Sequence, residues 1–436
     1  MGLRTMPRCL GLIILLGLFA PAGSAVETRA PNILVIISDD QAWTDYSFLG
    51  STNVRTPHID QLAAESRVFP RGYDTNSLCS PSLASILTGR HVHRHGVTGN
   101  DPPMTAAAGA GKQKSAAFLQ GREQLIKLYD QSPQLPRLLA ERGYVSLQTG
   151  KWWMGDYTHG GFTEGMTKGG RHGDDGLTIG RQTLAPLTEF ISRAKKDQKP
   201  FFVWYAPMMP HDPHNPPERI LAKYRGKAPT LWADRYYAMC EWFDETVGEV
   251  RAHLEKEGLT NDTIIVYLSD NGWIPDAKKP KVDFERSKLS PFDGGVRSPL
   301  LVSWPGHIKP ITLDYAVSAV DIMPTLLKLA GARIPADGDG IDLMDEEALR
   351  RRPFVAGQNS THDIIEIGKP ASSLRYRWLV AGDLKLIVSS GLNGATEPPR
   401  LFDLRADAAE LHDLAGARPA EVKRLTALLD GWWDGR

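Results

Sequence analysis

The sequence predicts an α/β fold: a large, mostly parallel or mixed sheet flanked by helices, followed by a small C-terminal antiparallel sheet with a helix. Two observations predict it. Five short apolar runs, at 33–37, 145–148, 201–205, 264–268 and 299–302, have the length and the β-branched or aromatic content of buried strands. Helical patterns alternate with them at 132–142, 184–196 and 233–254, the order expected of a sheet covered on both faces.

Taken from the start of the chain, Arg4 and Arg8 precede an apolar run at 10–19 and then Pro21-Ala22-Gly23-Ser24-Ala25, the order of a secretory signal peptide cut after Ala25. The run is shorter than the roughly 20 apolar residues that a membrane span needs. The mature chain is therefore expected in the periplasm or outside the cell, with no stable membrane span. Lysine plus arginine and aspartate plus glutamate number 51 each, so no global field attracts nucleic acid or an anionic membrane. Any anion site has to be built locally.

The residues just past each strand run decide where function sits, because ligands of such sheets bind beyond the carboxyl ends of the strands. Ser38-Asp39-Asp40 comes after the first run, Thr149-Gly150-Lys151 after the second, His211-Asp212-Pro213-His214 after the third and Ser269-Asp270-Asn271-Gly272 after the fourth. Each alone reads equally well as an ordinary turn. Four together predict one shared site at one sheet edge. Between the first two runs, residues 76–90 read as a loop that delivers Cys79 to the first turn of a helix. Pro81 suits an early helical position, Leu83, Ile86 and Leu87 share one face, and Gly89 suits the stop. The stretch 104–117, rich in alanine, glycine and lysine, reads as a surface excursion.

Of the three cysteines, Cys9 lies in the signal segment. Cys240 falls on one helical stripe with Tyr237, Phe243, Val247 and Val250, which predicts a buried structural thiol, and a Cys79–Cys240 bridge is the alternative. A boundary is expected between about 335 and 352, giving a signal peptide at 1–25, a main domain at 26–345 and a small α+β subdomain at 346–436. In the latter, Gly382-Asp383 between apolar runs at 378–381 and 384–388 predicts a hairpin, and a helix is expected at 419–432.

Asp39, Asp40, Asp270 and Asn271 offer hard oxygen ligands, the set suited to calcium and, less well, to magnesium. Lys151, Lys288, His211 and His214 are the nearby cationic or proton-carrying candidates. Each also has a plain reading, as a solvated surface lysine or as a histidine bracing a proline-rich loop.

The stretch Cys79-Ser80-Pro81-Ser82-Leu83 resembles the signature of the type I sulfatases, the formylglycine-dependent arylsulfatase-like family of the alkaline phosphatase superfamily. Resemblance continues from Pro31-Asn32-Ile33 to Leu401-Phe402-Asp403-Leu404 and includes Gly150-Lys151-Trp152-Trp153-Met154-Gly155 and the segment 288–299 with Asp293-Gly294-Gly295-Val296-Arg297. The resemblance implies an alkaline-phosphatase-like fold and a sulfuric ester hydrolase acting on an aryl or carbohydrate sulfate. It implies that a maturation enzyme oxidises Cys79 to formylglycine, whose hydrated aldehyde attacks sulfur. It assigns the metal, usually calcium, to Asp39, Asp40, Asp270, Asn271 and the modified Cys79. Sulfate contacts go to Lys151 and Lys288 and an acid or sulfate-binding role to His211; His214, by its own position, either braces the proline-rich loop or lines the substrate pocket. Two positions depart from the family pattern: Leu83 stands where relatives carry arginine, and Trp153 where they carry histidine. The alternatives are a sulfatase relic that binds sulfated glycans without turnover, or a related phosphate or phosphonate ester hydrolase.

Overall fold

The computed structural model describes residues 1–3, 30–103 and 112–436, so the signal segment and most of the 104–117 excursion lie outside the described residues. The large sheet comprises β1 (Asn32–Ser38), β2 (Arg67–Tyr73), β3 (Val145–Gly150), β4 (Glu164–Gly165), β5 (Phe201–Ala206), β6 (Thr263–Ser269), β7 (Arg297–Ser303), β8 (Ile311–Thr312) and β9 (Val317–Ser318). Their order is β4-β3-β5-β1-β6-β7-β2-β8, with β9 also pairing β2. β7 runs antiparallel to both β6 and β2, and the other pairings are parallel. The carboxyl ends of β1, β2, β3, β5 and β6 and the amino end of β7 thus open at one edge.

All five predicted runs lie in strands of this sheet, and the alternation along β1 shows why they are apolar throughout. Ile33, Val35 and Ile37 pack into the layer on one face, Leu34 and Ile36 into the layer on the other. Each fully buried aliphatic side chain contributes about 1.5–3 kcal/mol, so such a strand has no solvent face to make polar. The helix Leu231–Lys256 covers one face through Met239, Phe243, Val247 and Val250. Its start is capped by the Thr230 hydroxyl, which accepts from Ala233 N at 3.1 Å. The other face is covered by the helix Cys79–Thr88 through Leu83, Ile86 and Leu87 and by the helix Ile322–Leu329. Cys240 is buried in the long helix, and both it and Cys79 are free thiols, so the structural-thiol expectation holds.

The second sheet is antiparallel, in the order β10 (Val355–Ser360), β11 (Leu374–Ala381), β12 (Leu384–Ser389), β13 (Arg400–Asp403). The predicted hairpin is β11–β12, with Gly382 at φ 60° in its turn, where a side chain would be strained. One face takes Leu425 and Leu429 of the helix Pro419–Trp432. The other face packs Trp378, Ile387 and Phe402 against Tyr73, Phe292 and Val296 beside β2 and β7. Within that seam Lys385 Nζ is wholly buried, 2.7 Å from Asp293 Oδ1 and 3.1 Å from Glu410 Oε1. Among the described residues no helix is long and apolar enough to cross a membrane.

Candidate active site

At the shared edge, chain reversals beyond the strands converge on one buried cluster. Asp39 N–H donates to Met209 O at 2.8 Å and Asp270 N–H to Ser38 O at 2.9 Å, tying the ends of β1, β5 and β6 together. Asp40 takes a left-handed conformation, φ 67°, which non-glycine residues adopt at a cost of about 1–2 kcal/mol. Its amide then donates to Asp270 Oδ1 at 3.0 Å, and Asn271 Nδ2 donates to its Oδ1 at 2.7 Å. Lys151 leaves β3 with its own amide held by Ala206 O at 2.7 Å.

Cys79 is the first residue of its helix, which Gly89 ends in the left-handed conformation at φ 61°. Its Sγ lies 3.4 Å from both Lys151 Nζ and Lys288 Nζ, 3.8 Å from Asp39 Oδ1 and 3.9 Å from Asp40 Oδ1. Lys151 pairs with Asp39 at 2.7 Å, Lys288 with Asp40 at 2.7 Å, and His211 Nε2 stands 3.4 Å from Asp40 Oδ2. His211 follows a cis Met209–Pro210 bond and precedes a cis Asp212–Pro213 bond. Burial pushes the Cys79 thiol up, Asp270 adds to the push, and the two ammonium groups oppose it. Burial also raises Asp40, but the charges of Lys288, His211 and Lys151 outweigh it and hold that carboxyl well below its usual range. Asp270 is raised by burial and by Asp39.

Eight of the predicted residues therefore meet: Asp39, Asp40, Cys79, Lys151, His211, Asp270, Asn271 and Lys288. His214 stands apart from the cluster. Its ring is boxed by Trp232, Tyr236 and Trp273 at centroid distances of 5.3, 5.5 and 5.1 Å, and neither ring nitrogen has a hydrogen-bond partner. Leu83 and Trp153 both line a void of about 10 Å³, together with Ser80, Ala84, Tyr129, Trp152 and Met154, so at both positions that depart from the family pattern the chain packs its side chain into a nearly filled space.

A hard cation fits this cluster. Ligand atoms of Asp39, Asp40, Cys79 and Asp270 all lie within 4.8 Å of one another, and Asp270 Oδ2 and Asn271 Oδ1 are buried acceptors without a donor. Buried acceptors of this kind call for a positive partner.

The sequence reading missed four residues beside the site. Asn100 Oδ1 accepts from Ser80 N at 3.0 Å and steadies the cysteine turn. Asp74 is a buried carboxyl raised by burial and by Asp270. Arg171 and His172 arrive on a loop that folds over the end of β3, with Trp152 N–H donating to His172 O at 3.0 Å. The dense glycines of Gly169-Gly170-Arg171-His172-Gly173 were the available signal: a Cβ on Gly173 would meet Gly150 O at 2.3 Å.

Comparison with known proteins agrees with this geometry. Residues 31–332 match the sulfatase family model. The chain is 29% identical over 397 residues to N-acetylgalactosamine-6-sulfatase of Canis lupus familiaris, covering 80% of this chain and 73% of that one. It is 26% identical over 480 residues to arylsulfatase A of Homo sapiens, with 94% and 89% covered. A solved structure of BT4656 with its substrate D-glucosamine-2-N,6-O-disulfate shares the fold at a TM-score of 0.71 and 20% identity, covering 93% of this chain and 98% of the other. With more than half its length inside the family match, the chain belongs to the sulfatase family, the sulfuric ester hydrolases of the alkaline phosphatase superfamily.

Proposed function

We propose that this protein is an exported, calcium-dependent hydrolase of carbohydrate sulfate esters, with Cys79 as the precursor of its nucleophile. The observation that carries the reading is the placement of Cys79 Sγ 3.4 Å from two buried ammonium groups, beside the side-chain oxygens of Asp39, Asp40, Asp270 and Asn271. A neutral-sugar site has no use for that arrangement. A sulfate ester brings negative oxygens that both lysines can hold.

Asp39, Asp40, Asp270 and Asn271 would hold the cation, with Cys79 completing the set, and the cation would supply positive charge to the reacting sulfuryl group. Formylglycine, made from Cys79 by a maturation enzyme, would supply the attacking hydroxyl. The chain's own residues do the rest. Lys151 and Lys288 bind and orient the sulfuryl oxygens, each aligned by one carboxylate. His211, held by Asp212 through Nδ1 at 2.7 Å, presents Nε2 toward Asp40 and the pocket and carries the proton for the leaving oxygen. His214, outside the cluster and packed among Trp232, Tyr236 and Trp273, would meet the substrate only beyond the sulfuryl group. The catalytic unit spans 26–345 and the second sheet closes its side. Sugar rather than aryl sulfate is favoured by relatives named for N-acetylgalactosamine 6-sulfate and by the structure with a glucosamine disulfate.

Mass spectrometry of the tryptic peptide 72–90 from protein made in its own host tests the nucleophile, and sulfate release from N-acetylgalactosamine 6-sulfate tests the reaction. Formylglycine at Cys79 together with released sulfate is the expected result. One observation favours a second reading, a binding protein without turnover: Leu83 and Trp153 line a nearly filled void, where Leu83 offers no polar group and Trp153 Nε1 has no hydrogen-bond partner. An unmodified thiol and no sulfate release select that reading.

A further inference from the structure

Trp153 stands where the family pattern has an imidazole, and the loop over β3 brings another imidazole against that tryptophan. His172 lies at φ 71° and ψ −13°, a left-handed conformation that a non-glycine residue holds only when its surroundings impose it. What imposes it is close packing. Its carbonyl takes the Trp152 amide at 3.0 Å, and Gly173 and Gly176 sit so near Gly150 O that a Cβ on either would collide at 2.3 and 2.6 Å. The His172 ring packs against Trp153 at 4.7 Å between centroids, and Lys151 Nζ lies 5.0 Å from the centre of that same tryptophan.

The ring is aligned from behind as well as from below. Arg171 Nη1 lies 2.5 Å from His172 Nε2, and Arg171 is itself fixed by a two-pronged pair to the buried Asp101, with Nε–Oδ1 at 2.7 Å and Nη2–Oδ2 at 2.8 Å. The same Nη1 also lies 3.4 Å from Nδ1, but an arginine can only donate, so the nearer Nε2 is assigned as the acceptor and Nδ1 keeps the ring proton. Burial and the positive charges of Lys151, Arg171, His211 and Lys288 keep this imidazole neutral. The half-buried Arg171, paired to the buried Asp101, thus holds the left-handed His172 ring against Trp153 beside the site.

We propose that His172 supplies, from a different segment of the chain, the imidazole that Trp153 displaced, donating its Nδ1–H to the sulfate ester held between Lys151 and Lys288. The proposal rests on the sulfatase reading for the ester, though its test does not depend on turnover. Arg171 and Asp101 are positioning residues in this arrangement, acting through the ring.

His172→Asn is the informative variant, because asparagine tolerates the left-handed backbone but is too short to reach. Its kcat/KM is expected to fall about 100-fold both for N-acetylgalactosamine 6-sulfate and for 4-nitrophenyl sulfate, because both present the same sulfuryl oxygens to the ring. Adding Trp153→His to His172→Asn is expected to restore at least about tenfold on the sugar sulfate, which a purely structural role would not permit. A kcat/KM within twofold of the parent on both substrates, or a loss that Trp153→His leaves unchanged, overturns the proposal. Calorimetric titration of parent and variant with inorganic sulfate separates the two failures. If the parent binds sulfate without turning over esters, the hydrolase reading falls, and an about tenfold weaker sulfate affinity in His172→Asn still supports the contact whereas an unchanged one refutes it.

Discussion

Lys288 and Asp40 form a buried ion pair, Nζ to Oδ1 at 2.7 Å, and the same ammonium reaches Cys79 Sγ at 3.4 Å. The pair links the loop before β7 to the end of β1, and its free energy depends on both partners. Taking one charge from a buried pair costs about 3–5 kcal/mol because the other stays desolvated and unpaired. Lys288→Met is therefore expected to lower stability in urea by about that amount and, if the proposed reaction holds, sulfate release by about 10²–10³-fold. Added calcium should recover part of the stability, since it meets the orphaned carboxylate, and none of the turnover. A variant as stable as its parent in a chelator would refute the argument.

Asp270 is the sharper probe of the cation. Its Oδ1 serves the Asp40 amide at 3.0 Å while its Oδ2 is buried without a partner, so only half of the carboxylate is used by the protein itself. Thermal unfolding of the parent should shift upward with calcium, by about 2.7 kcal/mol at a hundredfold excess over Kd. Asp270→Asn keeps the acceptor for Asp40 and loses the charge, so its unfolding should respond little to calcium or to a chelator. Equal calcium shifts in parent and variant would remove Asp270 from the ligand set.

Much of this site was legible because sheet geometry converts sequence position into place. Asp39, Lys151, His211 and Asp270 each come after a strand run, and parallel strands bring their carboxyl ends to one edge. β2 was not legible, since Arg67, Pro70 and Arg71 interrupt its apolar pattern. Its register breaks between Phe69 and Gly72, where a Cβ on Gly72 would meet Ser298 O at 2.3 Å. β10 was hidden for another reason: Gln358, Asn359 and Ser360 are buried through hydrogen bonds to the cysteine loop rather than through apolar packing, as with Asn359 to Ser77 and Gln358 N to Thr75 O. His172 escaped because its partner Trp153 is 19 residues away: the dense glycines around it announce a close approach but not what is approached. Such contacts arise from tertiary packing alone.

Restoring the family arginine should not restore the family site. Leu83 lines a void of about 10 Å³ together with Trp152, Trp153 and Tyr129. A guanidinium there must displace an aromatic ring or stay buried without enough acceptors, and either outcome costs a few kcal/mol, about 2–4. Leu83→Arg alone is expected to lower the melting temperature without raising sulfate release. Leu83→Arg combined with Trp153→His opens the space and should recover stability relative to Leu83→Arg. Melting curves of the three proteins decide it, and a fully stable Leu83→Arg would show that the pocket is softer than its packing implies.

Asp244 gives stability a pH dependence with a definite sign. Its carboxylate accepts from His58 N at 3.1 Å and Ile59 N at 2.7 Å at the start of the helix Pro57–Ala64. Burial raises it to about 7, with those two amides opposing. Since the unfolded value is about 3.9, the folded state holds the proton more tightly between about pH 4 and 7. Stability from this group is complete below about pH 4 and is lost as pH rises through about 7, at up to about 1.4 kcal/mol per unit. Asp45, raised to about 7 by burial against its bond to Tyr236, acts in the same direction. Asp244→Asn keeps an acceptor for the amides and cannot ionise, so urea midpoints measured from pH 5 to 8 should fall less steeply than in the parent. Parallel curves would refute the assignment.

Lys385 ties the second sheet to the loop that carries Lys288, and its removal tests whether the two units depend on each other. The ammonium lies 2.7 Å from Asp293 Oδ1 and 3.1 Å from Glu410 Oε1, and Glu410 Oε2 accepts from Asp293 N at 2.6 Å. Burial lifts Glu410 to about 7 even with Lys385 opposing it, so without the lysine two carboxyl groups would share a dry seam with Arg297, 3.4 Å from Asp293 Oδ2, as the cation left beside Asp293. Lys385→Met should therefore cost about 3–5 kcal/mol in urea unfolding. Adding Asp293→Asn to Lys385→Met removes one of the stranded charges, so the double variant should be more stable than Lys385→Met alone, by about 1 kcal/mol or more. Because Asp293 begins five residues after Lys288, Lys385→Met should also raise KM for the sulfate ester through displacement of that loop. Costs that simply add in the double variant would mean that Lys385 packs in the seam without holding its charges.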